Sequence, residues 1–470
     1  MSDGVTIGLE THVQLDTDTK LFCGCSADLS DEPNTHTCET CLGMPGSKPR
    51  TNARVVEYAV KAAMAFGCSI NDRVRFSRKT YFYPDMAKNF QITQYEIPIG
   101  GKGSVRTRLQ GEEKEIGIKR VHIEEDPARL VHKGGDIASS DYTLVDYNRA
   151  GIPLIEVVTE PDFDSPGEAR AFLQKLTQIL EYLDVYDPSS DLSIKSDANI
   201  SIDGGDRVEV KNITGTKGIE NALNYEITRQ RNLQKRGRDI ERETRSYSSA
   251  QEITTSLRQK EMEAEYGYIF EPDLTQLGVD QATRDEIRAG IPELPDQKFD
   301  RFQKEYGLEA ELVDSLITDP ELADAFEELA DDHDTDLVAS WLTGELKKTL
   351  NYNEVSFSEA GLETGWLDDV IRLLEDGRIS DRNAEMLLRE LVDDPRDPQS
   401  IVEEQDLLKA DEGEVKGIVQ QVVDDNPEAV DDYQNGEDDA LNFLVGQVMQ
   451  QSQGKADPKQ AREMLLEAIE

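Results

Sequence analysis

From Val5 to Leu15 the chain alternates strictly: Val5, Ile7, Leu9, Thr11, Val13 and Leu15 occupy one set of positions, Thr6, Gly8, Glu10, His12 and Gln14 the other. A period of two puts successive side chains on opposite faces, which predicts a half-buried strand with Glu10 and His12 together on its polar side. The run from Val121 to Asp126 has the same character and closes on three successive acids, Glu124, Glu125 and Asp126, before Pro127. Between residues 165 and 183 the period lengthens. Ser165 caps, Pro166 fills the first turn, Glu168 closes a capping box, and Phe172, Leu173, Leu176, Ile179, Leu180 and Leu183 form one stripe, predicting a core-facing helix.

Up to about residue 292, short β-type runs alternate with Gly, Pro and Asn punctuation and a few helices, which predicts an α+β domain built around an antiparallel sheet. Beyond the junction Ile291-Pro292-Glu293-Leu294-Pro295, strand signals fade and apolar residues recur at helical spacing, as in Leu367, Ile371 and Leu374. A second break, Asp394-Pro395-Arg396-Asp397-Pro398, precedes a last helical segment ending in Met464, Leu465, Leu466, Ala468 and Ile469. The expected organisation is therefore 1–292, 293–395 and a small module over 396–470. At 470 residues the chain exceeds one ordinary core.

Charge changes this picture. Ninety-six acids against 51 bases leave a formal net charge of −45, yet apolar periodicity persists throughout, so adaptation to a high-salt cytoplasm is expected rather than disorder. Residues 293–470 carry −33 of it, leaving −12 for residues 1–292. The nearly balanced part is where a polyanion would dock, and its bases gather in Arg73, Arg75, Arg78 and Lys79, then in Arg229, Arg231, Lys235, Arg236, Arg238, Arg242 and Arg245. The second group is either a nucleic-acid footprint or a solvated helix face. No basic-then-apolar leader and no apolar run of membrane-spanning length occur, which predicts a soluble, cytoplasmic protein without membrane attachment.

Candidate chemistry is concentrated early. Cys23-x-Cys25 and Cys38-x-x-Cys41, separated by a twelve-residue loop, suit a tetrahedral four-sulfur zinc site; Cys68, in an apolar run read as helical, is expected in the core. Three adjacent carboxylates at a strand end repel one another unless a cation or a solvent-exposed rim offsets them, and hard oxygen donors favour magnesium, which in turn implies phosphate. His122 and His132 are read as structural. There is no GxxxxGK[ST] loop, no GxGxxG fingerprint and no GxSxG elbow. A nucleotide would need another arrangement to hold it, and amide chemistry would need a partner to supply it.

The stretch Val145-Asp146-Tyr147-Asn148-Arg149-Ala150-Gly151-Ile152-Pro153-Leu154-Ile155-Glu156 resembles the signature of the B subunits (GatB) of the glutamine-dependent aspartyl/glutamyl-tRNA amidotransferases. Ile7 to His12, Arg78 to Asp85, Gln91 to Tyr95, His122 to Asp126, Asp197 to Ser201, Glu209 to Asn212 and Phe443 to Met449 agree with it, so the likeness runs from end to end. The resemblance implies a cradle domain with a central antiparallel sheet, then a helical domain and a YqeY-like tail. It implies a carbon–nitrogen ligase that uses ATP and Mg2+ to phosphorylate the side-chain carboxylate of Asp or Glu mischarged on tRNA. Ammonia released from glutamine by an amidase A subunit then displaces phosphate, in a heterotrimer completed by a small C subunit.

By position in that likeness, Glu10, His12 and Glu125 correspond to magnesium-binding residues, with Glu124 in reserve. Lys79, Asp197, Asn199, Glu209 and Lys211 are expected to contact ATP or the aminoacyl end, and Cys23, Cys25, Cys38 and Cys41 to hold structural Zn2+. Lys195-Ser196 and Thr214-Gly215 depart from the family's usual residues, and Gln434, Glu437 and Asp439 stand where lysines are common. Two alternatives are a glutamyl-specific E-type component, which carries a large insertion before its tail, and a non-catalytic tRNA-binding scaffold.

Overall fold

In the computed structural model, residues 4–29, 32–134, 140–188, 194–257, 267–410, 412–452 and 455–469 are described. The chain divides into two compact units, Met1–Asp296 and Gln297–Glu470. The division falls in the first turn of the helix Pro295–Glu305, a few residues past the Pro292 junction.

The first unit is organised by an eight-stranded sheet. From edge to edge its strands are Ile253–Ser256, Glu243–Ser248, Val208–Thr214, Ile194–Ile202, Val5–Gln14, Pro153–Thr159, Glu112–Glu125 and Gly103–Leu109. Neighbours pair antiparallel except Val208–Thr214 with Glu243–Ser248, which run parallel and are joined through the helix Gly215–Lys235. Antiparallel neighbours can follow one another through short turns, whereas a parallel pair needs such a crossover. The first strand sits centrally, flanked by Ile194–Ile202 and Pro153–Thr159.

Alternation decides the faces. Ile7, Leu9 and Val13 point into the core, joined there by Val121, Ile123, Ile155, Val157, Ala198, Ile200, Val208 and Val210. Helices Ala53–Ala65, Pro166–Tyr182 and Gly215–Lys235 contribute Val55, Ala59, Phe172, Leu176, Ile219 and Leu223 to the same core. Ser165 caps the second helix, its Oγ accepting the Glu168 amide at 3.3 Å, while Glu168 Oε2 accepts the Asp164 amide at 2.9 Å. Helices thus blanket one face, and the polar positions of the central strands are left to the other. Cys68 is buried as expected, but it lies past the end of Ala53–Ala65, in a turn where its amide bonds Ala63 O.

One irregularity matters for the site. Ser196 pairs with Ile213 and Ala198 with Val210, so Asp197 alone faces both Lys211 and Asn212. The extra residue is a bulge, and Asn212 takes up the strain at φ +63°. A separate three-stranded sheet, Gly267–Phe270, Ser77–Thr80 and Phe90–Thr93, carries Arg78 and Lys79.

The second unit is helical. One core runs from Phe299 to Leu407 and a smaller one from Val415 to Ile469, the latter including Leu465 and Ile469 of the helix Pro458–Ile469. No helix among the described residues is long and apolar enough to cross a membrane.

Candidate active site and metal centres

On the sheet face turned away from the helices, four strands bring charged groups together. His12 lies opposite Glu156, which in turn pairs with His122, so the two imidazoles flank one carboxylate. His12 Nε2 is 3.2 Å from Glu124 Oε1 and 3.5 Å from Glu156 Oε2; His122 Nε2 is 3.1 Å from Glu156 Oε2. Burial opposes a charge on His12, but Glu124 and Glu156 outweigh it and hold the imidazole well above its usual pKa. Burial likewise opposes the Glu156 carboxylate, and His122 and His12 reverse that, holding it well below the carboxylate range.

His12, Glu124 and Glu156 offer one nitrogen and two oxygens within 4.8 Å of one another. Octahedral magnesium, with bonds of about 2.1 Å, sets neighbouring donors about 3.0 Å apart, so the His12–Glu124 spacing fits, with positions left for water and phosphate oxygens. Glu10, two residues from His12 on the same face, lies beside this trio. Burial and the nearby Glu156 raise its pKa, and Asn199 Nδ2 donates to its Oε1 at 3.1 Å.

The bulge aims the next group. Lys211 Nζ is paired with Asp197 and lies 3.1 Å from Glu209, whose Oε2 accepts the Thr244 hydroxyl at 2.9 Å. The sequence-derived residues Glu10, His12, Asp197, Asn199, Glu209 and Lys211 therefore share one face with Glu124.

Glu125 is placed otherwise. Parity turns it to the opposite side of its strand, where its carboxylate pairs with Lys88 and accepts the Ile92 amide at 2.8 Å. The expectation that it would join His12 at a cation is not met by this arrangement; Glu124, held in reserve, stands there instead. Lys79 also stands apart, on the three-stranded sheet in register with Gln91, whose side-chain amide donates to Glu125 O at 2.7 Å. Glu156 is a ligand candidate that sequence reasoning missed, although it lies in the signature stretch. The available signal was a lone charge inside Pro153–Thr159, a strand buried at every position.

Three of the basic residues, Arg78, Arg229 and Arg245, are held by buried carboxylates. Arg229 and Arg245 close on the fully buried Glu226, with Glu243 and Thr254 completing the cluster, so neither belongs to an open nucleic-acid footprint. Arg78 makes two hydrogen bonds to Glu271, at 2.6 and 2.8 Å. His132 Nδ1 meets Thr143 Oγ1 at 2.8 Å across a short hairpin, a structural role.

The four thiols of Cys23, Cys25, Cys38 and Cys41 gather within 4.8 Å of one another. Zinc–sulfur bonds of about 2.3 Å give a tetrahedron with edges of about 3.8 Å. The Cys38 and Cys41 sulfurs are 3.9 Å apart, and the residues present fit the ion. A hydrogen bond from Cys23, with help from Lys20, lowers the Cys41 thiol to about 5, while burial pushes Cys25 up to about 11. One thiolate is thus already favoured among its neighbours.

The sequence matches the model of the GatB/GatE catalytic domain over residues 5–285 and that of the GatB domain over residues 324–469. Fold and matched domains together define a component of a carbon–nitrogen ligase of the amidotransferase class. Relatives covering nearly the whole length narrow this. The B subunit of the aspartyl/glutamyl-tRNA(Asn/Gln) amidotransferase of Haloquadratum walsbyi is 47% identical over 482 residues, covering 99% of this chain and 97% of that protein. The protein of the same name from Methanospirillum hungatei is 46% identical over 471 residues (99% and 98%), and that from Carboxydothermus hydrogenoformans 40% over 472 residues (98% and 98%). The chain belongs to the GatB family, the B subunits of these amidotransferases.

Proposed function

We propose that the chain activates the side-chain carboxylate of Asp-tRNA(Asn), Glu-tRNA(Gln) or both, by transferring the γ-phosphoryl group of ATP to it. The observation that carries this reading is the single sheet face on which His12, Glu124 and Glu156 adjoin Glu10, Asp197, Asn199, Glu209 and Lys211. His12, Glu124 and Glu156 would hold Mg2+, which when bound neutralises phosphate charge and orients the phosphoryl group. Glu10, kept in place by Asn199, adds a carboxylate beside that trio. Lys211, fixed between Asp197 and Glu209, presents an ammonium to the incoming phosphate or carboxylate. A carboxylate oxygen attacks the γ-phosphorus and ADP leaves. Ammonia then attacks the carbonyl carbon of the acyl phosphate, and phosphate departs. Positioning and charge neutralisation supply most of the acceleration in such a transfer.

Ammonia would come from a glutamine-hydrolysing amidase partner, with a small third component completing a heterotrimer, as membership of the family implies. The domain plan is a cradle over 1–292, a helical domain over 293–395 and a YqeY-like tail over 396–470. Zn2+ in the cysteine quartet would be structural. The charge of −45 supports a cytoplasm at molar salt, where tRNA contact relies on backbone amides, glutamines and helix ends more than on basic side chains.

The test is reconstitution with the amidase and the small third component in molar KCl, offering Asp-tRNA(Asn) and Glu-tRNA(Gln) separately. Amide formation dependent on ATP and Mg2+, abolished in Glu124→Gln, is expected. Unchanged product formation by that variant would favour the non-catalytic scaffold instead.

A further inference from the structure

Lys20 has no solvent exposure at all, and its ammonium reaches two carbonyls, His36 O at 2.7 Å and Tyr147 O at 3.1 Å. Carbonyls satisfy hydrogen bonds but do not balance a buried charge. Among the described residues no carboxylate pairs with Lys20. The anionic group in reach is the thiolate quartet, with Cys41 Sγ 3.9 Å from Nζ. Four thiolates around Zn2+ carry two net negative charges, which this ammonium would partly offset.

The same loop that carries the cysteines is stitched to residues 145–148. The Asn34 amide donates to Asp146 Oδ1 at 2.9 Å, the Tyr147 amide to Asn34 Oδ1 at 2.7 Å, and Asn34 Nδ2 to Val145 O at 3.1 Å. The His36 amide donates to Asn148 Oδ1 at 2.8 Å, and Asn148 Nδ2 to Glu32 O at 2.9 Å. Beyond this, the Leu21 amide bonds Gly151 O and the Gly151 amide bonds Asp126 O, both at 2.9 Å. Gly151 sits at φ +89°, and a Cβ there would meet Lys20 Cδ at 3.5 Å, Cys41 Cβ at 3.7 Å and Glu125 Oε2 at 3.9 Å. Thiolates, ammonium and the end of the strand that bears Glu124 thus converge on one glycine.

We propose that Lys20 is a positioning residue: it serves as counter-ion to the zinc thiolates and, through Tyr147 and Gly151, makes the metal centre a clamp on the strand end carrying Glu124 and Glu125. This rests on the zinc reading of the quartet and is independent of the phosphoryl-transfer reading. Zinc here braces the segment 145–151 and does more than pin the chain's beginning.

The experiment uses the full chain in its assembled complex in molar KCl and reads two quantities apart from activity. These are the rate of Zn2+ release to a chromophoric chelator and the amide exchange of Tyr147 and Gly151. Lys20→Met should release Zn2+ at least about tenfold faster, the usual scale for losing an outer partner of a metal ligand. Stripping Zn2+ from the wild type should speed exchange at Gly151 by a similar factor. Asn34→Gly keeps a residue suited to φ +64° and removes only the side-chain bonds. It should speed exchange at Tyr147 while Zn2+ release stays within about threefold, and it serves as the test should Lys20→Met fail to fold. Wild-type Zn2+ release from Lys20→Met, or unchanged exchange at Tyr147 in Asn34→Gly, overturns the clamp. A complex that takes up no Zn2+ overturns the metal reading and the clamp together, whatever its ATP chemistry.

Discussion

Glu124 and Glu125 are neighbours in the chain whose carboxylates serve opposite faces of one sheet: Glu124 Oε1 lies 3.2 Å from His12 Nε2, while Glu125 Oε1 accepts the Ile92 amide at 2.8 Å. The two should therefore fail differently when neutralised. Glu124→Gln should raise the Mg2+ concentration for half-maximal, tRNA-dependent ATP hydrolysis by about tenfold or more. Glu125→Gln should leave that concentration within about twofold and instead lower stability by about 3–5 kcal/mol, because Lys88 is left buried without its partner. A Mg2+ titration and a denaturant titration of both variants separate the outcomes.

The second unit contains a proton-dependent contact far removed from that chemistry in sequence. His333 Nδ1 meets Glu375 Oε2 at 2.6 Å and Nε2 meets Asp368 Oδ1 at 2.7 Å. Burial disfavours the imidazolium, but the two carboxylates prevail and raise its pKa above 6.5. A raised folded-state value means the contribution is complete below the unfolded pKa of about 6.5 and is lost as pH climbs through the folded one. Denaturation midpoints of the wild type should thus fall from pH 6 to pH 9 by more than those of His333→Gln. Parallel pH dependences would contradict this.

Salt should be a requirement rather than a modifier. With a net charge of −45, self-repulsion at low ionic strength is screened only over about 30 Å at 0.01 M but over about 3 Å at 1 M. The thermal midpoint should rise steeply with KCl up to the molar range. A midpoint independent of KCl between 0.1 and about 2 M would rule out the halophilic reading.

Ser165→Ala removes the acceptor for the Glu168 amide at the start of Pro166–Tyr182. The expected loss is about 1 kcal/mol, the usual scale for an N-cap. Equilibrium denaturation of the wild type and variant measures it directly.

Alternation made the strand Val5–Gln14 legible, and capping chemistry did the same for Pro166–Tyr182, because both signals are local. Their polar residues could be placed on a face but not opposite a partner. Glu156 was hidden because Pro153–Thr159 is buried on both sides and shows no alternation. Arg229 and Arg245 looked like part of one basic patch because their shared acceptor, Glu226, is brought to Arg245 by tertiary packing that no local pattern announces. Glu125 was expected at the cation from its position in the family likeness, whereas a strand sends adjacent acids to different sides.

The doubled pairing opposite Asp197 also dictates what the hairpin between Ile194 and Thr214 tolerates in length. Removing Asn212 would restore a plain ladder in which Ile213 keeps its partner Ser196 and, now two positions after Val210, stays in the core. The helix that follows would keep its phase, with Ile219, Leu223 and Ile227 still buried, because Thr214 keeps its pairing with Lys195. One residue can thus leave this ribbon without disturbing the core, and the whole cost falls on the charged face, where Asp197 would lose its doubled pairing with Lys211 and Asn212.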